Sequence, residues 1–142
     1  MPTDTQIPAR KRVLVAEDNK EMRDTIVHIV EREYDVVGAV SDGRSLVDAA
    51  AELRPDIGVF DISMPVMNGI EAAHEIKKKD SRMKIVFLTV NEDPDFAQAA
   101  FEAGGVAYVI KRRMAADLPA AIIAALTGQK FVSPNCGLPR AP

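Results

Sequence analysis

The sequence has little cysteine, few aromatic residues and no tryptophan. Cys136 is the only cysteine in 142 residues, which excludes an internal disulfide framework and any metal site built from several cysteines. A single free thiol is typical of a reducing cytosol. Aromatic residues make up 5% of the chain, so aliphatic side chains must fill most of the core.

Long hydrophobic runs and a basic charge balance are absent as well. No apolar run approaches the roughly 18 residues that a membrane span needs, and residues 1–11 lack the apolar segment of a signal peptide. The formal net charge is −3, which disfavours DNA binding because phosphate contacts favour a basic surface. We therefore expect a soluble, cytoplasmic protein that binds neither membranes nor DNA.

Five short apolar runs recur along the chain, and stretches with helical spacing separate them. The runs are rich in β-branched residues and too short for buried helices, so they predict strands. They lie at 13–16, 36–40, 57–60, 85–88 and 106–110. Their near-continuous apolarity predicts burial on both faces. The alternating order predicts an α/β fold, a doubly wound five-stranded parallel sheet with helices on both sides.

The length and punctuation predict one domain with short tails. We assign residues 12–128 to the domain, 1–11 to an N-terminal tail and 129–142 to a flexible C-terminal tail, which carries three prolines and no periodicity. The last amphipathic stretch runs from Leu118, which places Pro119 near the start of the fifth helix.

Polar side chains follow four of the five apolar runs, at the carboxyl ends of the predicted strands. They are Glu17, Asp18, Asp61, Thr89 and Lys111. Parallel strands bring these ends to one edge, so we expect three carboxylates, a hydroxyl and an ammonium in one crevice. Clustered carboxylates repel each other, and oxygen ligands favour Mg²⁺. The pattern predicts a phosphate-and-magnesium site; the alternative, that acidic residues merely cap turns, explains one such residue but not the whole set.

Two other classes of phosphate-handling protein share this arrangement. A nucleotide- or flavin-binding Rossmann-like protein needs a glycine-rich turn after the first strand, but the turn here is EDNK at 17–20. A magnesium-dependent aspartyl phosphohydrolase needs a second Asp two positions after the nucleophile, where this chain has Ser63. Both classes are disfavoured, and the phosphohydrolase stays as the least favoured alternative.

At these residues the chain resembles the receiver domain of bacterial two-component response regulators. Four motifs carry the resemblance: VLVAEDN at 13–19, VFDISMPVMNG at 59–69, FLTV at 87–90 and YVIK at 108–111. The resemblance covers about residues 12–134. It implies a flavodoxin-like (βα)5 fold with strand order 2-1-3-4-5.

The resemblance also implies a set of chemical roles. Asp61 is then the phosphoacceptor, taking a phosphoryl group from a sensor histidine kinase, a phosphotransfer protein or a small phosphodonor. Asp18 and Asp61 bind Mg²⁺ directly together with the backbone carbonyl of Ser63, while Glu17 acts through a metal-bound water. Lys111 pairs with the phosphoryl oxygens. Such a protein is not an enzyme beyond its own phosphorylation and autodephosphorylation.

A conformational switch is implied by two further residues. Thr89 is similar to the family's switch hydroxyl, and Tyr108 to the aromatic that turns inward when the hydroxyl moves. The simpler interpretation of Tyr108, a strand aromatic packed on the fourth helix, is compatible with this role. The face built by the fourth helix, fifth strand and fifth helix is then where a partner or a second copy of the chain docks.

Some positions depart from the family pattern. Val90 follows Thr89 where the family has a smaller residue, and Arg112 replaces a proline, which leaves the isomer of the Lys111–Arg112 bond open. Ser63, Val90 and Asn91 are expected to tune autodephosphorylation. If these departures disable the switch, the chain is instead a phosphorylation-independent interaction module.

The end of the domain, GQKFVSP at 128–134, resembles receivers that precede a helix-turn-helix output domain in the group regulating nitrate and quorum responses. Eight residues follow Pro134. The sequence leaves open whether the native protein continues into an output domain.

Overall fold

The structure, a computed structural model, describes residues 10–134. Its strands are β1 (Arg12–Ala16), β2 (Asp35–Val40), β3 (Ile57–Asp61), β4 (Lys84–Thr89), β5 (Gly105–Ile110) and β6 (Phe131–Val132). Its helices are α1 (Lys20–Glu31), α2 (Gly43–Leu53), α3 (Gly69–Lys79), α4 (Pro94–Glu102) and α5 (Met114–Leu126), with a 3₁₀ turn at Lys111–Arg113. Most of the N-terminal tail and the end of the C-terminal tail, with Cys136, lie outside the described residues.

The sheet has the strand order β2-β1-β3-β4-β5-β6, and every pair of neighbours is parallel. The predicted doubly wound fold and the order 2-1-3-4-5 are confirmed for the five main strands, and β6 extends the sheet by one short strand at the β5 edge. The carboxyl ends of all five main strands therefore lie along one edge, where the polar residues were predicted to meet.

Alternate residues of each strand point to opposite faces, and both faces are buried. In β1, Leu14 packs in a core with α2, α3 and α4. Its neighbours Val13 and Val15 pack in a second core with α1 and α5. An edge-to-face pair of Phe60 and Phe87, with ring centroids 6.2 Å apart, adds aromatic packing to the first core.

The chain after α5 differs from the prediction of a flexible tail from residue 129. Phe131 and Val132 pair with Ala107 and Tyr108 of β5, and Ser133 is buried. A strand of two residues is too short to show periodicity, so the sequence pattern could not reveal it.

The fifth helix also begins earlier than its apolar stripe indicates. The helix starts at Met114, so Pro119 lies inside it rather than near its start. Within residues 10–134 no peptide bond is cis, so the bond between Lys111 and Arg112 is trans. Across the same residues, no helix combines the length and the apolarity that crossing a bilayer would require.

Candidate functional site

The strand-end residues converge at the carboxyl edge of the sheet, as the sequence predicts. One carboxylate oxygen each from Glu17, Asp18 and Asp61 lies within 4.8 Å of the others. Glu17 and Asp61 are buried, whereas Asp18 is exposed. The three carboxylates thus form a cluster that is buried at Glu17 and Asp61 and open to solvent at Asp18.

Lys111 completes the cluster from the end of β5. Its Nζ lies 2.7 Å from Oε1 of Glu17 and 3.3 Å from Oδ1 of Asp61. Its side chain is 13% exposed, against 1% for Glu17 and 4% for Asp61. The ammonium therefore compensates two buried carboxylates that would otherwise repel each other.

The electrostatics of Asp61 are set by burial. The pKa of Asp61 is raised to about 7, chiefly by desolvation and further by the charge of Glu17, while Lys111 and the N–H of Ser63 act in the opposite direction. For Lys111, burial alone would lower the pKa, but the hydrogen bond that its ammonium donates to Glu17 and the negative charge of Asp61 outweigh burial, so the pKa is raised. A bound cation would favour the ionised form of Asp61.

The cluster suits a hard divalent cation. It offers three carboxylates, and oxygen donors are what Mg²⁺ binds in proteins. His28 and His74, the only histidines of the chain, lie on α1 and α3 and are exposed, so nothing in this donor set favours zinc. The exposed side at Asp18 leaves room for the waters that Mg²⁺ retains.

The turn between β1 and α1 holds Glu17 in place. The N–H of Asn19 donates to Oε2 of Glu17 at 3.1 Å, and the side chain of Asn19 caps α1 by accepting from the N–H of Met22. Arg23 donates to the backbone carbonyl of Glu17 at 2.9 Å. The sequence interpretation missed Arg23, although its position one helical turn after Asn19 could have indicated it.

The loop from β3 to α3 folds back against Asp61. The N–H of Gly69 donates to the carbonyl of Ile62 at 2.8 Å. A Cβ at Gly69 would lie 2.2 Å from the backbone oxygen of Asp61, so only glycine allows this approach. The N–H of Ser63 donates to Oδ1 of Asp61 at 3.3 Å. The metal-binding role of the Ser63 carbonyl stays a prediction.

The predicted switch residues are connected through one backbone segment. The N–H of Asn91 donates to Oγ1 of Thr89 at 2.9 Å, and the hydroxyl of Tyr108 donates to the carbonyl of Asn91 at 2.8 Å. Tyr108 is fully buried and lies in the same core as α4. Tyr108 is therefore a packing residue that is connected to Thr89 through the backbone of Asn91.

The mouth of the site is partly apolar. Val90 is 76% exposed directly after Thr89, and Ser63 is exposed after β3. A cleft of about 440 Å³ opens beside the carboxylates. Its lining residues are Asp18, Ile62, Ser63, Met64, Pro65, Asn68 and Phe96. Of the predicted tuning residues, Ser63 lines this cleft, whereas Val90 and Asn91 are not among its lining residues.

A parallel (βα)5 sheet with an acidic cluster and a lysine at its carboxyl edge defines a class of signalling module. A sequence model of the response regulator receiver domain matches residues 13–123. The chain therefore belongs to the receiver domain family of two-component response regulators, as the motifs predicted.

Individual relatives agree with this assignment. The chemotaxis protein CheY of Thermotoga maritima is 37% identical over 102 residues, which cover 71% of this chain and 85% of CheY. The transcriptional regulatory protein PdtaR of Mycobacterium tuberculosis is 36% identical over 121 residues, 84% of this chain and 58% of PdtaR. The chain thus spans less than two thirds of the length of PdtaR.

The fold matches solved receivers as well. A LuxR-family two-component response regulator from Aurantimonas superposes with a TM-score of 0.86 and 33% identity, covering 90% of this chain and 93% of that one.

Proposed function

We propose that this receiver domain takes a phosphoryl group on Asp61 in a Mg²⁺-dependent reaction. One observation carries the proposal: the ammonium of Lys111 lies within 3.3 Å of the Asp61 carboxylate, inside a cluster of three carboxylates at the edge of the sheet. Clustered charges of this kind, held where a phosphate can approach, are what phosphoryl transfer needs. The donor is a histidine kinase, a phosphotransfer protein or a small phosphodonor.

The residues divide the work as follows. An oxygen of Asp61 attacks phosphorus in line, while the bond from phosphorus to the donor atom breaks and the donor leaves with the bonding electrons. Mg²⁺, held by Asp18 and Asp61 with Glu17 acting through a water, supplies charge neutralisation when bound. Lys111 contacts the phosphoryl oxygens. To do so, its Nζ moves away from the carboxylates of Glu17 and Asp61, with which it pairs in this structure.

The switch follows from the hydroxyl of Thr89. This hydroxyl accepts from the N–H of Asn91, so its own proton can be donated to a phosphoryl oxygen. A move of Thr89 toward Asp61 would pull on Asn91 and through it on the hydroxyl of Tyr108. The surface of α4, β5 and α5 would change as a result, and a second copy or a partner protein would dock there. Phe96 of α4 and Ile123 of α5 are 41% and 54% exposed, and such apolar side chains would be available to a partner.

Incubation with acetyl phosphate and Mg²⁺, followed by intact-protein mass measurement, tests the proposal. We expect an adduct of about 80 Da. It should not form when Mg²⁺ is chelated before acetyl phosphate is added, and it should not form in Asp61→Asn. Asp48→Asn, which changes an exposed carboxylate on α2, should retain the adduct. Absence of an adduct in the unmodified chain would contradict the proposal and favour the interaction module. Catalytic turnover of added phosphate esters would favour the phosphohydrolase.

A further inference from the structure

The segment after α5 contacts α4, β5 and α5, the three elements of the proposed docking surface. The ammonium of Lys130 lies over the ring of Phe101 of α4, 5.4 Å from its centroid. Phe131–Val132 pair with β5, and Ser133 contacts α5 through Asp117. We call residues 130–133 the C-terminal segment.

Ser133 is the centre of this docking. It is 1% exposed, and its N–H donates to the carbonyl of Tyr108 at 2.9 Å. Its hydroxyl accepts from the N–H of Ile110 at 3.0 Å and donates to Oδ2 of Asp117 at 2.7 Å. With both bonds made, the Ser133 hydroxyl and the N–H of Ile110 are satisfied. Removal of the hydroxyl would leave the buried N–H of Ile110 without an acceptor.

Asp117 extends the same network to the other side of Lys111. It is 6% exposed and accepts from Nε of Arg113 at 2.8 Å. Ile110 is thus held by Ser133, and Arg113 by Asp117, which is itself bonded to Ser133. Lys111 lies between these two fixed points, at the first position of the 3₁₀ turn.

The position of Lys111 matters because its Nζ must reach Glu17 and Asp61 from the backbone at the end of β5. A displaced β5 terminus would carry the whole side chain with it. A shift of about 1 Å in a positioned group lowers the rate of a reaction by up to about a hundredfold. The backbone on either side of Lys111 therefore requires support, and the structure shows the C-terminal segment giving it.

We propose that Ser133, acting with Asp117, is a positioning residue for Lys111, so that docking of the C-terminal segment sets the rate at which Asp61 is phosphorylated. This inference rests on the proposed function. The C-terminal segment would then regulate phosphorylation. A protein or domain that displaces residues 130–133 from the edge of β5 would slow phosphorylation of Asp61 without contacting the carboxylates.

Ser133→Ala tests the inference on the full chain. We expect phosphorylation by acetyl phosphate to slow by about fivefold or more, the effect of one lost hydrogen bond or a small displacement. Affinity for Mg²⁺, measured by titration without phosphodonor, should be unchanged or higher because Lys111 no longer pairs as firmly with the carboxylates. Ser133→Thr, which keeps the hydroxyl, should recover most of the rate. Ser81→Ala, an exposed serine at the opposite end of the sheet, is the matched control.

The outcomes separate the two proposals. If the unmodified chain acquires no phosphoryl group, the proposed function fails, and the inference with it. If the chain is phosphorylated and Ser133→Ala reacts at the same rate, the inference alone is overturned. Equal losses of Mg²⁺ affinity and rate in Ser133→Ala would also overturn it, since they would indicate a general loss of structure. A slower rate with retained Mg²⁺ affinity supports it.

Discussion

The hydroxyl of Tyr108 donates a hydrogen bond of 2.8 Å to the backbone carbonyl of Asn91. The N–H of the same Asn91 donates to Oγ1 of Thr89. One residue of the loop after β4 therefore connects the buried aromatic of β5 to the hydroxyl beside the carboxylate cluster. The conformation of this loop and the position of the ring are set together.

Removal of the Tyr108 hydroxyl should loosen this connection. Tyr108→Phe keeps the ring in the core but loses the bond to Asn91, and we expect a decrease of about 1 kcal/mol in the free energy of unfolding. Urea denaturation measures the change. Tyr34→Phe, which removes a hydroxyl from a partly exposed tyrosine directly before β2, is the control and should change stability by less. An unchanged free energy of unfolding in Tyr108→Phe would show that the bond to Asn91 contributes no stability.

A methyl group at Gly69 should disturb the phosphoacceptor site. Gly69→Ala would place its Cβ 2.2 Å from the backbone oxygen of Asp61, which forces the loop or the strand end to move. We expect a loss of about 2 kcal/mol or more in unfolding free energy, by analogy with other overpacked sites. Gly128→Ala, where φ is +79° but no atom lies within 4 Å, isolates the cost of backbone conformation and should lose about 1 kcal/mol. A smaller loss at Gly69 than at Gly128 would contradict the proposed clash.

Asp61 should make the stability of the metal-free protein fall as pH rises. The folded-state pKa of Asp61 is about 7, above the ordinary 3.8, because its carboxyl is buried. Between about pH 4 and 7 the folded state then binds more protons than the unfolded state, so the free energy of unfolding decreases. We expect Asp61→Asn to be more stable than the parent chain above pH 7, by up to about 4 kcal/mol, and to lose this difference near pH 4.

Thermal melts in a chelating buffer at pH 4 to 8 measure this difference. Asp48→Asn on the exposed face of α2 is the control for removing a carboxylate. A constant difference between Asp61→Asn and the parent across the pH range would show that Asp61 does not titrate in this window.

Mg²⁺ should stabilise the folded chain through the carboxylate cluster. A ligand that binds only the folded state adds about 2.7 kcal/mol at a concentration one hundred times its dissociation constant. We expect the melting temperature to rise with MgCl₂ in the parent chain and to stay constant in Asp18→Ala. Asp24→Ala, on the exposed surface of α1, should behave like the parent. NaCl at matched ionic strength separates metal binding from screening; an equal rise with NaCl would rule out a specific site.

The sequence predicted where these polar side chains meet because they come at the ends of strands. Asp61 and Thr89 each directly follow an apolar run, and a parallel sheet places such ends on one edge whatever the details of packing. The residues that hold the site were harder to see. Ser133 comes after a two-residue strand, and Asp117 sits on an amphipathic helix, where an acidic residue normally faces solvent.

The amino-acid sequence alone determined the alternation of strands and helices along the chain, because it follows from short-range periodicity. It also determined the parallel sheet and the cluster of charges at its edge, because crossover connections have a fixed chirality. Only the tertiary structure decided which side chains are buried against which. Folding takes Asp61 out of water and thereby raises its pKa, and it brings Ser133 to the backbone of Ile110, 23 residues away. Such long-range contacts depend on how helices and strands pack, which no local pattern records.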